Sequence, residues 1–312
     1  MSKLSRREFL AGMAAVSAAL QTPLMASTHG SGKHLPIGFS TLGCPAWEWS
    51  KILDFAQQHK FAAVELRGMM GSMDLPSRPE FSPERIAQSK KDIADHGLRI
   101  SCVSSSSVLH ETDPAKNEAQ LADARRFIDL ASQLEVPYVR VFGNEAVGPR
   151  DQAITHVAKG LHELGEYAGP KNITVILESH GDFTDSPSLR AVMEQADSPH
   201  VALLWDAHNT FTGSKEDPEV TVSQLGKYIR HTHLKDSVPK GDKEEHYVLT
   251  GRGTVPVKRQ VELLVKMGYT GYYSFEWEKA WHPDIDDPEI AIADYSRVVS
   301  GYLKDAHYKP RA

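Results

Sequence analysis

The stretch ITVILESHGDFTDSPSLRAVMEQADSPHVALLWDAHN, residues 173–209, holds the unit from which the chain is built. It opens on a nearly continuous apolar run, ITVILES (173–179), breaks at Asp185 to Pro187, and returns to a second run, VALLWDA (201–207). Continuous apolar runs with β-branched residues suit strands buried on both faces, as in a parallel sheet. The Asp–Ser–Pro break is helix-start punctuation. The same alternation extends outward in both directions. Upstream stand LPIGFST (35–41), FAAVEL (61–66), LRISCVS (98–104) and VPYVRVF (136–142); downstream stand YIRHTHL (228–234) and GYYSFEW (271–277). Helical spacing fills the gaps, as at Ile52, Phe55, Ala56 and His59, at Leu121, Ala124, Ile128 and Ala131, and at Val257, Val261, Leu264 and Val265. Further helix starts are expected at Ser82–Pro83, Asp217–Pro218 and Asp287–Pro288, and glycine ends helices at Gly97 and Gly268. Eight strand–helix units in roughly 285 residues predict an α/β chain folded as a (β/α)8 barrel, a fold of about 250 residues. The barrel is expected over 34–308, with enlarged loops at 69–81 and 234–253. A doubly wound open sheet would want a glycine-rich phosphate loop after its first strand, and STLGCPAWEW (40–49) holds none.

The composition agrees. The chain has 312 residues, 40% hydrophobic and 24% charged, which excludes collagen-like, coiled-coil and wholly disordered classes. A formal net charge of -6 argues against a nucleic-acid partner, which needs a concentrated positive footprint. Two cysteines, Cys44 and Cys102, make no disulfide scaffold and fall near non-neighbouring strands, so two buried thiols are expected. The first residues read MSKLSRREFLAGMAAVSAALQTPLMAS: a basic pair, Arg6 and Arg7, then Phe9 and Leu10, then a short weakly apolar run from Ala11 to Leu20. Residues 1–26 are therefore expected to be an export signal, with a cut near Ala26, and the paired arginines resemble the twin-arginine type. That route carries folded proteins, so the expected partner is the twin-arginine export machinery and the expected place the periplasm or outside the cell. The apolar run is too short for a permanent span, and no stable membrane anchor is expected.

In this barrel the chemistry sits where the strands end. The candidates there are Glu65 and Arg67, His110 and Glu111, Asn144 and Glu145, Glu178 and His180, Asp206, His208 and Asn209, His231, His233, Lys235 and Asp236, and Glu276 and Glu278. The last four runs each deliver a carboxylate or imidazole. A buried carboxylate without a partner costs several kcal/mol, so the group calls for a cation or for extensive pairing. Three carboxylates and an imidazole suit Mn2+ or Mg2+, with Co2+ and Zn2+ also within range. Glu65, Glu145, Glu278 and His110 read as satisfied strand-end groups. Phe39, Trp47, Trp277 and Trp281 lie where they could floor a sugar ring.

The motifs ILESH, LLWDAHN, HTHLKD and SFEWE, in this order, resemble the xylose isomerase-like TIM barrels. That sugar phosphate isomerase/epimerase group includes ketose 3-epimerases, hydroxypyruvate isomerase and inosose dehydratase, with endonuclease IV as a distant relative. The resemblance implies one divalent ion held by Glu178, Asp206, His233 and Glu276. It implies His208 as a substrate-holding histidine, with His180 beside it. Arg252 or Lys235 would be the basic residue after the seventh strand. It further implies a small carbohydrate substrate and proton transfer by Glu178 and Glu276 through an enediolate. The alternatives are a lyase or dehydratase of a 3-keto-glycoside or cyclitol, and a non-catalytic exported sugar-binding protein; a homo-oligomer is compatible with any of these.

Overall fold

The computed structural model describes residues 34–241 and 244–309. The expected signal, 1–26, lies outside the described residues. Strands β1 (Ile37–Ser40), β2 (Ala63–Leu66), β3 (Arg99–Val108), β4 (Tyr138–Phe142), β5 (Thr174–Glu178), β6 (Val201–Asp206), β7 (Ile229–Leu234) and β10 (Tyr273–Phe275) form a closed barrel in the order β1-β10-β7-β6-β5-β4-β3-β2. Every pairing is parallel. All eight apolar runs are barrel strands. Helices α1 (Trp49–Gln58), α2 (Ile86–Asp95), α3 (Pro114–Leu134), α4 (Arg150–Ala168), α5 (Ser186–Ala196), α6 (Ala207–Thr212), α7 (Pro218–Leu225), α8 (Val257–Lys266) and α9 (Pro288–Asp305) carry the chain back between strands.

Strand parity divides the core in two. Phe39, Val64, Val139, Val175, Leu203 and Phe275 belong to the large apolar cluster that includes helix residues such as Ile52, Ile128, Leu161 and Ile292. Cys102, Ile176, Ala202 and Leu204, with Tyr138 against them, form a small separate cluster of the opposite parity, which is the barrel's apolar floor. Cys44 and Cys102 are both buried free thiols, one in each cluster. Burial raises both thiol pKa values far above the usual range, which keeps them inert.

Helix punctuation works as expected at Asp185, whose carboxylate accepts from Ser188 N, and at Asp217, which accepts from Glu219 N. Ser82–Pro83 differs: Ser82 closes a short 3-10 turn, its carbonyl accepts from Arg85 and Ile86 N, and α2 begins at Ile86. The segment expected as a long loop after the seventh strand is partly ordered as an antiparallel hairpin, β8 (Asp236–Pro239) against β9 (Glu245–Val248). Asp236 braces it, accepting from the N–H groups of Ser237, Gly251, Gly253 and Val255 at 2.8–3.1 Å. Among the described residues, no helix is long and apolar enough to cross a membrane.

Candidate metal centre

Glu178 and Asp206 close β5 and β6, His233 is the last inward residue of β7, and Glu276 follows β10 directly. Each continues the inward row of its strand, after Ile176, Leu204, His231 and Ser274. None of the four is more than 5% exposed. One ligand atom from each lies within 4.8 Å of the other three. His233 Nδ1 stands 3.2 Å from Glu276 Oε1, 3.7 Å from Glu178 Oε1 and 4.0 Å from Asp206 Oδ2.

Local bonds fix these directions. Asp206 spends Oδ1 on Asn209 N (2.9 Å), capping α6, and so turns Oδ2 toward the cage. Its own N–H donates to Ser179 Oγ at 2.9 Å, tying the ends of β5 and β6 together. His233 uses Nε2 on Glu65 Oε2 at 2.8 Å, leaving Nδ1 for the cage. Strand register separates the two histidines of the H-x-H pair: His233 is level with Asp206, whereas His231 is level with Leu204 on the floor.

A cation fits here. His233 Nδ1 is buried and has no hydrogen-bond partner, Glu178 Oε2 is buried with an ion pair to Arg140 Nη1 but no hydrogen bond, and three carboxylates plus one imidazole form a hard, oxygen-rich donor set. His233 would offer Nδ1, and Glu178, Asp206 and Glu276 would offer oxygens.

The electrostatics of the ion-free cage follow from packing opposite charges in a dry place. Burial alone would raise Glu276, but His233 and Lys235 hold it well below the usual carboxylate range. Burial opposes charge on His233, yet Glu276, Glu65 and Glu178 raise its pKa well above 6.5. Burial pushes Asp206 up to about 7 despite the attraction of Lys235. Lys235, 1% exposed, stands 2.8 Å from Asp206 Oδ2 and 2.7 Å from Glu278 Oε1, and bonds Glu276 Oε2 closely. Burial works against its charge, but Asp206, Glu276 and Glu278 raise its pKa well above the usual lysine value.

Three further charged residues stand at the cage: Arg140, which was not among the strand-end candidates, and Glu65 and Glu278, which were expected there as satisfied groups. Arg140, 1% exposed, places Nη1 3.2 Å from Glu178 Oε2 and lies 3.9 Å over the Phe142 ring. Glu65, fully buried, accepts from both His231 and His233; burial would raise its pKa, but the two imidazoles hold it well below the carboxylate range. Glu278 accepts from Lys235 and from the Tyr247 hydroxyl (2.9 Å) of the hairpin. A charge inside an apolar run, as in VPYVRVF and FAAVEL, was the available signal.

The expected substrate residues divide. Lys235 is at the cage. His208, 2% exposed, opens α6 and shares a 2.9 Å hydrogen bond with Ser237 Oγ of the hairpin. Burial, with the charge of Lys235, lowers its pKa to about 3, so it is neutral. His180 is half-buried beyond β5, its Nδ1 3.0 Å from Asn144 Oδ1 and its ring 4.7 Å from Phe142. Arg252 is not brought to the cage: its side chain is 61% exposed and reaches Asp294 of α9 at 3.8 Å. Trp277 cannot floor a sugar ring. Because Glu276 points inward, Trp277 points outward, where it stacks on Phe275 and donates to the Asp286 carbonyl. Phe39 has the same outward parity and packs edge-on to Phe61. Trp47 packs on Phe55 and Lys51 of α1, and Trp281 is exposed.

A sequence profile described as xylose isomerase-like TIM barrel matches residues 53–297. An inosose dehydratase from Clostridium tetani is 30% identical over 140 residues, 39% of this chain and 46% of that protein. The chain thus matches about half the length of such curated relatives. Among solved structures, an L-ribulose 3-epimerase superposes with a TM-score of 0.70 at 18% identity, covering 87% of this chain and 95% of that one. A xylose isomerase-like TIM barrel protein from Mycobacterium smegmatis, solved with magnesium, gives 0.66 at 21%, covering 87% and 97%. At these identities the superpositions show the shared fold.

Proposed function

The chain belongs to the xylose isomerase-like TIM barrel family, and on that premise we propose that it is a divalent-metal-dependent isomerase or epimerase of a sugar or keto-sugar. One observation carries the reading. Glu178 and Glu276 stand on strands separated by β6 and β7, with Asp206 and His233 between them. Two carboxylates thus approach one point from different sides. Glu178 takes a proton from the carbon next to a carbonyl on one face, and Glu276 returns one on the other. A divalent ion held by Glu178, Asp206, His233 and Glu276 would supply Lewis acidity, which lowers the cost of the negative charge that develops on proton removal. Lys235 and neutral His208 bind and orient substrate oxygens, and the hairpin that carries Ser237 and Tyr247 keeps water from them. The oxygen-rich donor set favours Mn2+.

The charges favour an uncharged substrate. Around the cage stand five carboxylates (Glu65, Glu178, Asp206, Glu276 and Glu278) against three fixed cations (Arg67, Arg140 and Lys235). A divalent ion and a neutral His233 bring the sum to zero, so a phosphate would add negative charge to a site already balanced. A second reading, a lyase of an oxidised glycoside or cyclitol, draws support from Lys235. Its buried ammonium can protonate a departing oxygen, and inosose dehydratases are among the relatives. Incubation with candidate ketoses and Mn2+ in D2O tests the proposal. Deuterium enters the carbon beside the carbonyl, with mass otherwise conserved for an isomerase or epimerase and water or aglycone lost for a lyase. Ketose binding without exchange would mark a non-catalytic sugar binder and overturn the reading.

We also propose export by the twin-arginine route, on the strength of Arg6, Arg7, Phe9 and Leu10. Replacing both arginines with lysine traps precursor in the cytoplasm; normal secretion contradicts it.

A further inference from the structure

Glu65 reaches across the barrel from β2 to β7. One of its oxygens, Oε2, accepts from both histidines of the H-x-H pair, His231 Nε2 at 2.7 Å and His233 Nε2 at 2.8 Å. The other, Oε1, accepts from Ser104 Oγ at 2.8 Å and from Ser40 Oγ at 3.4 Å. The carboxylate is fully buried, as are both imidazoles, and its four acceptor directions are taken. A carboxylate can only accept, so each imidazole must carry a proton on Nε2. For His233 this leaves Nδ1, the atom that faces Glu178, Asp206 and Glu276. A ring turned over about its Cβ–Cγ bond would present Cδ2 to the cage in place of Nδ1 and could not meet an ion.

We propose that Glu65 is a positioning residue that fixes the ring orientation of His233 and keeps the proton on its Nε2, so that Nδ1 is the nitrogen given up to an ion, with His231 as the second donor that locks Glu65 in place. The inference rests on the reading of the cage as a divalent-metal site and adds to it a reason for the paired histidines. The carboxylate also makes the imidazole a better donor, since hydrogen bonding at Nε2 pushes electron density toward Nδ1. In the sequence this role is carried by a single charge inside FAAVEL, more than 160 residues from the histidines that it serves.

Two measurements test it. Titration of Mn2+ into metal-depleted protein is followed by calorimetry for wild type, Glu65→Met and Glu65→Gln. Methionine removes the acceptor, and the expected affinity loss is about 10–100-fold. Glutamine keeps an acceptor oxygen at lower basicity, and it recovers most of that loss. A Glu65→Met protein that binds Mn2+ within about threefold of wild type overturns the proposal. Independently, long-range 1H–15N spectra of the histidine rings in wild type show both His231 and His233 protonated on Nε2. Addition of Zn2+, chosen because it is diamagnetic, moves the Nδ1 signal of His233 and leaves its Nε2 proton in place. Either ring bearing its proton on Nδ1 alone in wild type overturns the proposal, with no variant needed. If wild type takes up no ion, the metal reading falls, and the metal-free spectra still decide whether Glu65 holds the Nε2 protons of both rings.

Discussion

Replacing Lys235 with methionine removes the ammonium that neutralises the cage in the ion-free protein and keeps a side chain of similar length. Lys235 bonds Asp206, Glu276 and Glu278 and is 1% exposed, so no water replaces it. Breaking a buried pair by deleting one partner costs about 3–5 kcal/mol. For a chain of this size that is a fall in Tm of about 6–20 °C, at roughly 2–4 °C per kcal/mol. The loss has a ceiling set by Asp206. Burial already pushes that carboxyl up to about 7 with the ammonium present; without it, the carboxyl keeps a proton at neutral pH. A carboxyl whose folded pKa is raised binds more protons folded than unfolded, so its contribution is lost as pH rises. The deficit of the variant is therefore larger at pH 8.5 than at pH 6. A divalent ion supplies the missing positive charge and meets no competing ammonium in the variant, so at one fixed Mn2+ concentration the variant binds it more tightly and gains more stability than wild type. Scanning calorimetry in chelator and then in Mn2+ reads all of this. The expected result is a large deficit in chelator that shrinks by at least half when both proteins are held at the same excess of Mn2+. Equal stability in chelator, or a deficit that Mn2+ leaves unchanged, refutes the idea that ammonium and ion serve the same carboxylates.

Three further outcomes are expected. His208 has its folded pKa lowered to about 3, chiefly by burial, so the unfolded state binds more protons between about pH 6.5 and 3 and stability falls as pH falls through that window. The loss from pH 7 to pH 5 is about 2 kcal/mol from this group, and urea unfolding of His208→Gln shows a correspondingly flatter profile. Glu276→Gln keeps metal and loses turnover, because an amide oxygen can ligate but cannot take a proton; an active variant with normal exchange in D2O removes Glu276 from the mechanism. Arg252→Ala, at a mostly exposed side chain paired with Asp294, leaves Mn2+ affinity unchanged and stability within about 0.5 kcal/mol, measured by calorimetry and unfolding.

The barrel was legible because a parallel strand buried on both faces has to be a continuous apolar run, and all eight such runs became its staves. The cage was legible at β5, β6, β7 and β10 for a related reason: a charge at the end of such a run interrupts it visibly. Glu65 and Arg140 were harder. They stand within their runs rather than beyond them, and their partners on distant strands are set by closure of the barrel, which no local pattern records. The outward direction of Trp277 is implied by the alternation of the strand. An inward Glu276 makes its neighbour face the helices, where Phe275 and Tyr295 continue the stack. Arg252 is close to the seventh strand in sequence only, because the turn held by Asp236 carries it outward to α9. The hairpin 236–248 escaped notice because its two strands are four residues each and alternate too briefly to be told from loop.

Glu178, Asp206, His233 and Glu276 are proposed to hold one divalent ion between them. Diffraction from Mn2+-soaked crystals, recorded on both sides of the manganese absorption edge, tests it most directly. The account predicts a single anomalous peak per chain, bounded by the three carboxylates and by Nδ1 of His233. A cage still filled by the Lys235 ammonium at saturating Mn2+, or a peak bound by other residues, contradicts it.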